Sequence, residues 1–158
     1  LMILVPHEPT LATLDRLELA LSYTLRTIRF SDLNDYSNEN VILVDSIGIL
    51  MSLYQYADVA YVGGSFRQGI HNVLEPAVYG IPVLYGPKHE NSQEAMELAR
   101  RGGAFVITNA EECYMQVRRM LNDKKTRMRA GAEALRLVQE NVGATGRFIE
   151  YLERAVKK

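Results

Sequence analysis

The chain has 158 residues, the size of one ordinary domain, and 47% of them are hydrophobic against 23% charged, so a sizeable core can be buried. A net charge of −1 supplies no global field to draw nucleic acid or a membrane surface. One cysteine, Cys113, rules out an intrachain disulfide, and no run of 18 apolar residues is present to span a membrane.

Apolar runs bounded by turn signals alternate with helical patterns, the signature of an α/β domain with a parallel sheet. The chain opens on the apolar run Leu1–Val5, with Met2–Val5 as first strand and Pro6 as its stop; a buried strand at residue one suggests a piece of a longer protein. Pro9 and Thr10 open a helix through about Tyr23, with Leu11, Leu14, Leu17, Ala20 and Leu21 on one face. Thr27–Phe30 reads as a short strand, 31–40 as a polar loop, and Val41–Val44 as a buried strand. Asp45 and Ser46 cap a helix over about Ile47–Tyr56. Val59–Val62 is a strand, a helix runs from near Asn72 to Gly80, and Pro82–Tyr85 is the next strand. Asn91 caps a helix that ends at Gly102-Gly103, and Ala104–Ile107 is the last strand. Asn109-Ala110-Glu111-Glu112 is an asparagine version of a capping box, opening a helix with Ala110, Cys113, Tyr114, Val117 and Leu121 on one stripe. Asp123–Asn141 is a further helix, 143–146 a hinge, and 147–158 a terminal amphipathic helix. The expected architecture is α/β: a Rossmann-like doubly wound parallel sheet of about six strands with helices on both faces, in a single domain over 1–158. In such sheets ligands bind beyond the carboxyl ends of the strands.

The unusual residues fall at those ends. Gly63-Gly64-Ser65, Gly69-Ile70-His71-Asn72 and Glu75-Pro76 form a strand, glycine turn and helix start. Glycines admit close backbone approach, and free N–H groups at a helix start suit phosphate. Pro76 in the first helical turn costs little, because its missing N–H is an orphan there anyway. Glu75 puts negative charge in the same place: it either grips hydroxyls attached to the phosphate or complements the helix dipole. His71 either bonds a phosphate or sugar carboxylate or caps the helix. Ser46, Ile47 and Gly48 either offer backbone to a phosphate or base or simply begin a helix. His7 and Glu8 form a first crevice loop or a solvated turn, and Asn91 and Glu94 reach the crevice or serve only as cap and first-turn acid. No G-x-G-x-x-G follows the first strand, no Walker sequence and no G-x-S-x-G occur, and His7, His71 and His89 are too scattered for a metal site.

The run Tyr61-Val62-Gly63-Gly64-Ser65-Phe66, Gly69-Ile70-His71-Asn72-Val73-Leu74-Glu75-Pro76-Ala77, Gly80-Ile81-Pro82-Val83-Leu84-Tyr85-Gly86-Pro87 resembles the C-terminal half of the 3-deoxy-D-manno-octulosonic acid (Kdo) transferases. Asp45-Ser46-Ile47-Gly48, Tyr54 with Ala57-Asp58, and Asn91 extend the resemblance over most of the chain. It implies the donor-binding half of an inverting, membrane-associated GT-B glycosyltransferase that moves Kdo from CMP-Kdo to lipid A precursor in lipopolysaccharide biosynthesis. It also implies that Gly63–Ser65 and Gly69–Asn72 hold the CMP phosphate, Glu75 the ribose hydroxyls, and Ser46–Gly48 the cytidine or phosphate. His7, Asn91 and Glu94 complete the implied donor set, with no cofactor, no metal and no catalytic residue in this stretch. The general base, the lipid acceptor site and the membrane anchor belong, on this resemblance, to an N-terminal domain outside the chain. That makes the stretch itself soluble and the whole protein resident at the cytoplasmic face of the bacterial inner membrane.

The sequence departs from the pattern in three places. His7 stands where the family often has Arg, Ile49 where it has Glu, and the Ser65–His71 loop carries Ile70 in place of a second Gly and runs a residue short. Two other readings remain open: another GT-B nucleotide-sugar enzyme, such as a UDP-sugar transferase or 2-epimerase, and a non-catalytic Rossmann-like module. The basic stretch Arg118, Arg119, Lys124, Lys125, Arg127 and Arg129 is either a solvated helix face or a patch for anionic membrane.

Overall fold

The computed structural model describes residues 1–67, 69–143, 146, 148, 149, 151, 152 and 154. They form two compact units, Leu1–Ser52 and Leu53–Lys158. The terminal helix expected over 147–158, and the centre of the expected hinge, fall largely outside the described residues.

In the first unit β1 (Met2–Leu4), β2 (Thr27–Arg29) and β3 (Val41–Leu43) make a parallel sheet in the order β1-β3-β2. Ile42 faces Ile3 on one side and Ile28 on the other. Central placement explains the unbroken apolar run 41–44: Val41, Leu43 and Val44 are fully buried. Helix α1 (Leu11–Ser22) begins where expected, with the Thr10 hydroxyl accepting from the Thr13 N–H at 3.2 Å. Leu14 is its buried contact. Arg29 at the end of β2 reaches back to α1, donating to Glu18 at 2.7 Å and Asp15 at 2.8 Å. Those two carboxylates raise the guanidinium pKa above its ordinary value.

Two details of this unit differ from expectation. Part of the polar stretch after β2 is a 3-10 helix, Phe30–Asp35, so Phe30 leaves the strand. Asp45 caps nothing: its carboxylate accepts from the Ser31 N–H at 3.1 Å and from the Ser31 hydroxyl at 2.7 Å. The Ser31 hydroxyl holds the Asp45 pKa below its ordinary value. The helix that Asp45 was expected to cap starts later, as α2 (Leu50–Leu53), and continues as a 3-10 turn over Tyr54–Tyr56.

In the second unit β4 (Ala60–Tyr61), β5 (Val83–Tyr85) and β6 (Ala104–Val106) are parallel in the order β4-β5-β6. The six expected strands are thus all present, but hydrogen bonding groups them as two three-stranded sheets instead of one ladder of six. The helices are α3 (Leu74–Ala77), α4 (Gln93–Arg101), α5 (Ala110–Asn122) and α6 (Lys124–Asn141). Val62, Val73, Ala77, Val83, Tyr85, Ala95, Leu98, Ala104, Ala134 and Leu137 form one buried cluster. Asn109 caps α5 as its spacing predicts, accepting from the Glu112 N–H at 2.9 Å, while Glu112 returns to the Thr108 N–H at 2.7 Å. The buried edge of α5 is not the predicted stripe: Met120 is fully buried, while Tyr114 and Leu121 are more than half exposed.

Helix α6 buries a small-residue face of Ala130, Gly131, Ala134 and Leu137. At Gly131 it lies so close to the turn after α3 that an added Cβ would come within 2.0 Å of the Gly80 carbonyl oxygen. Arg127 turns inward, donating to the Met120 carbonyl at 3.1 Å and pairing with Asp58 at 3.1 Å. Glu97 accepts from Arg100 and Arg101, each at 2.6 Å, and Arg101 also reaches Glu140 on α6 at 2.5 Å.

Helix propensity alone would make Gly131→Ala stabilising by about 1 kcal/mol. The contact with Gly80 reverses the sign, and a net loss of about 2 kcal/mol is expected in urea unfolding. The two guanidinium groups hold the Glu97 carboxyl at about 2, down from 4.5. Its stabilising contribution is therefore complete above 4.5 and is lost as the pH falls through about 2. Thermal melts between pH 5 and pH 2 are expected to show a smaller acid loss for Glu97→Gln than for the parent chain.

Candidate functional site

Because β4 and β5 are parallel neighbours, the loops at their carboxyl ends emerge at the same edge of the second sheet. The first of these loops closes on itself. The Gly64 carbonyl accepts from the N–H groups of Arg67 at 2.9 Å and Gly69 at 3.3 Å, and the Gly63 carbonyl accepts from His71 at 3.3 Å. Gly64 has φ +90°, and a Cβ there would stand 2.3 Å from the Gly69 oxygen and 3.1 Å from His71 Nε2. Gly64 is thus required by the loop itself, because it lets the His71 ring lie directly over it, whereas a Cβ at Gly63 would meet only His71 Cδ2 at 3.9 Å.

Ser65, next in the loop, is the buried polar side chain of the chain's described residues, at 0% exposure. Its oxygen accepts from the Gly86 N–H at 2.6 Å, and its carbonyl accepts from the Lys88 N–H at 2.8 Å. The second loop, 86–92, leads into α4. The capping residue is Ser92, which accepts from the Ala95 N–H at 3.1 Å, and not Asn91 as the sequence reading expects. Released from capping, Asn91 packs on the first loop: a Cβ at Gly69 would lie 2.9 Å from Asn91 Nδ2.

Helix α3 is one turn long, shorter than the Asn72–Gly80 span expected from the sequence. A macrodipole of that length is small, so the site rests on individual groups. Asn72 Oδ1 accepts from the Leu74 N–H at 3.0 Å, and Asn72 Nδ2 donates to Glu75 Oε1 at 3.1 Å. One Glu75 oxygen is therefore held. The N–H groups of Asn72 and Val73 have no hydrogen-bond partner among the described residues. The Tyr54 phenol is pushed up to about 12, by burial first and by the charge of Glu75 second. His71, Asn72, Asn91, Ser92 and Glu94 converge on a cleft of about 370 Å³, with Ile70, Val73 and Leu74 as its apolar lining. Ser92 is absent from the sequence reading, and Tyr54 enters it only as part of the family resemblance, with no role at the site. The capping rule applied one residue later would have found Ser92.

Four expected donor residues belong to the first unit. His7 is exposed in the turn after β1, and Ser46, Ile47 and Gly48 follow β3, with Ser46 half-buried and Ile47 and Gly48 exposed. β1 and β3 are parallel neighbours, so these two loops leave one edge of the first sheet. Among the described residues no three His, Cys, Asp or Glu side chains gather as a metal site requires, and no helix is long and apolar enough to cross a membrane. In the basic stretch Arg127 is engaged internally, whereas Arg119 and Arg129 line a second cavity of about 320 Å³ with Arg101, Thr126 and Glu133.

A parallel α/β unit with a glycine-turn loop and a one-turn helix at its sheet edge is of the Rossmann-like, GT-B class. The C-terminal CMP-Kdo binding domain of WaaA from Acinetobacter baumannii has this fold: TM-score 0.76 and 27% identity, covering 87% of this chain and 72% of that one. No protein-family model matches the chain. The 3-deoxy-D-manno-octulosonic acid transferase of Haemophilus influenzae is 36% identical over 99% of this chain, and that of Aquifex aeolicus is 42% identical over 54% of it. A bifunctional glycosyltransferase/methyltransferase of Fusobacterium nucleatum is 35% identical over 79% of the chain. The chain belongs with the 3-deoxy-D-manno-octulosonic acid transferases and corresponds to the C-terminal domain of that family. It spans 38% of the length of the Haemophilus relative and 25% of the Aquifex one.

Gly64→Ala is expected to break the loop, because neither the backbone angle nor the Gly69 oxygen admits a Cβ. Amide spectra should show large changes over residues 63–72 and little change in α5, with stability lowered by about 2 kcal/mol.

Proposed function

We propose that this chain is the donor-binding part of an inverting glycosyltransferase that takes CMP-Kdo and transfers Kdo to a lipid A precursor in lipopolysaccharide biosynthesis. The observation that carries the reading is the convergence of His71, Asn72, Asn91 and Glu94 on one cleft beside the closed glycine loop. The family resemblance implies these same residues for the donor, and the chain matches the Haemophilus member over 99% of its length. In this assignment the loop at Gly63–Gly64 and the open N–H groups of Asn72 and Val73 receive the CMP phosphate. Backbone donors aimed at a leaving phosphate stabilise the charge that develops there. Glu75, with one oxygen held by Asn72, offers its other oxygen to the ribose hydroxyls. Of the two roles the sequence left open for Glu75, the hydroxyl contact is favoured, since a one-turn helix has little dipole to complement.

His71, Asn91 and Glu94 form the rest of the donor wall. His7 and the Ser46–Gly48 backbone are assigned to the donor by the family resemblance alone. Ser65 is dropped as a direct ligand, because its side chain is fully buried and its oxygen is turned to the Gly86 N–H. No metal is assigned to the reaction: the donor's charge is met by N–H groups and His71. The acceptor hydroxyl, the general base that deprotonates it, and the membrane attachment are assigned to the part of the protein outside this chain. The acceptor oxygen then attacks the anomeric carbon of Kdo as CMP leaves, inverting the configuration. The whole protein works, on this reading, at the cytoplasmic face of the inner membrane.

Calorimetry with CMP, UDP and GDP tests the assignment: CMP is expected to bind with clear preference, and a preference for UDP overturns it. Glu75→Gln should weaken CMP by about 1–2 kcal/mol through loss of a charge-assisted contact. The 158-residue chain supplied with CMP-Kdo and acceptor should give no turnover.

A further inference from the structure

We infer that Ser65 is a positioning residue that sets the width of the proposed donor cleft, an inference that rests on the donor-binding reading above. The cleft has two walls: residues 70–74 on one side, and Asn91, Ser92 and Glu94 on the other. They come from loops that follow different strands, and the Ser65 side chain lies between those loops. Its hydroxyl oxygen accepts from the Gly86 N–H at 2.6 Å, where the second loop leaves β5. One residue serves twice, since the Ser65 carbonyl accepts from the Lys88 N–H at 2.8 Å. Lys88 Nζ also donates to the Arg67 carbonyl at 3.3 Å.

From Lys88 the constraint runs on to the far wall. The His89 carbonyl accepts from the Ser92 N–H at 3.0 Å, and Ser92 caps α4. On the other side of Gly86, the Tyr85 hydroxyl donates to the Ala95 carbonyl at 2.5 Å, fixing the first turn of α4 against β5. The circuit closes where Asn91 packs on Gly69, whose own N–H returns to the Gly64 carbonyl at 3.3 Å. Gly86 is buried, so its N–H has no access to water as a substitute partner. Removing the Ser65 hydroxyl leaves a buried donor unmet, and the second loop must shift to satisfy it. That shift moves Asn91 and Glu94 relative to His71 and Asn72, although Ser65 itself touches no ligand.

The test uses the 158-residue chain, with Ser65→Ala and Ser65→Thr compared by amide NMR and by CMP titration well below the melting temperature. Ser65→Ala is expected to shift the Gly86 amide strongly and to carry changes through Lys88 to residues 91–94 in the absence of any ligand. CMP affinity should fall about tenfold, and Ser65→Thr should restore both. The inference is overturned if changes in Ser65→Ala stay within residues 64–66 and 86, or if CMP affinity equals that of the parent. Failure of the parent chain to bind CMP would sink the donor reading instead, while the ligand-free shift pattern still decides the latch. Should Ser65→Ala not fold, hydrogen exchange in the parent decides: slow exchange at Gly86 and Lys88 supports the latch, and exchange at exposed-loop rates rejects it.

Discussion

The Ser65 hydroxyl and the Gly86 amide meet 2.6 Å apart at the carboxyl ends of β4 and β5, both of them buried. A polar pair in such a place is unforgiving: neither group has water to fall back on, so the two loops must keep the separation that the bond dictates. The rest of the second unit's candidate site follows from that separation. Beyond Ser65 the chain folds back on Gly64, which has room for the His71 ring only because it lacks a Cβ. Beyond Gly86 the chain turns into α4, which Tyr85 ties down through Ala95. Backbone proximity, more than any one reactive side chain, is what builds the cleft.

A second consequence concerns helix caps. Sequence rules placed Asn109 and Thr10 correctly, each accepting from the N–H three residues on. They misplaced Asp45 and Asn91. Asp45 is drawn instead to Ser31, fourteen residues earlier, and Ser92 takes the cap that Asn91 could have filled. The second reassignment bears on the cleft. Asn91 faces Gly69 and the cleft because it does not cap, and Asn72 both caps the turn at Leu74 and holds Glu75. An amide side chain has an acceptor and two donors, and here two of those three are committed before any ligand arrives.

The chain spans 38% of the length of the Haemophilus transferase it matches, and the matched stretch corresponds to a domain known in Acinetobacter for binding CMP-Kdo. That division is chemically coherent. The groups in this chain suit a nucleotide phosphate and a ribose, being backbone N–H donors, an imidazole and a carboxylate. Of the departures from the family pattern, His7 and Ile49 lie in the first unit, whereas Ile70, in the shortened glycine loop, lies in the second and lines its cleft.

The sequence by itself determined the six strands, their parallel direction and most of the helices, because period and punctuation are local signals. It also marked the loops that carry the site, since the glycine turn and the Gly–His–Asn–Glu–Pro order are short in range. It could not give the length of α3, the grouping of strands into two ladders, or the buried edge of α5. Those depend on which neighbours each element meets, as with Met120, which is buried where Tyr114 and Leu121 remain exposed. Tertiary structure alone decided that the Ser65 hydroxyl meets the Gly86 N–H. Twenty-one residues separate the two, and only adjacent parallel strands bring them within reach.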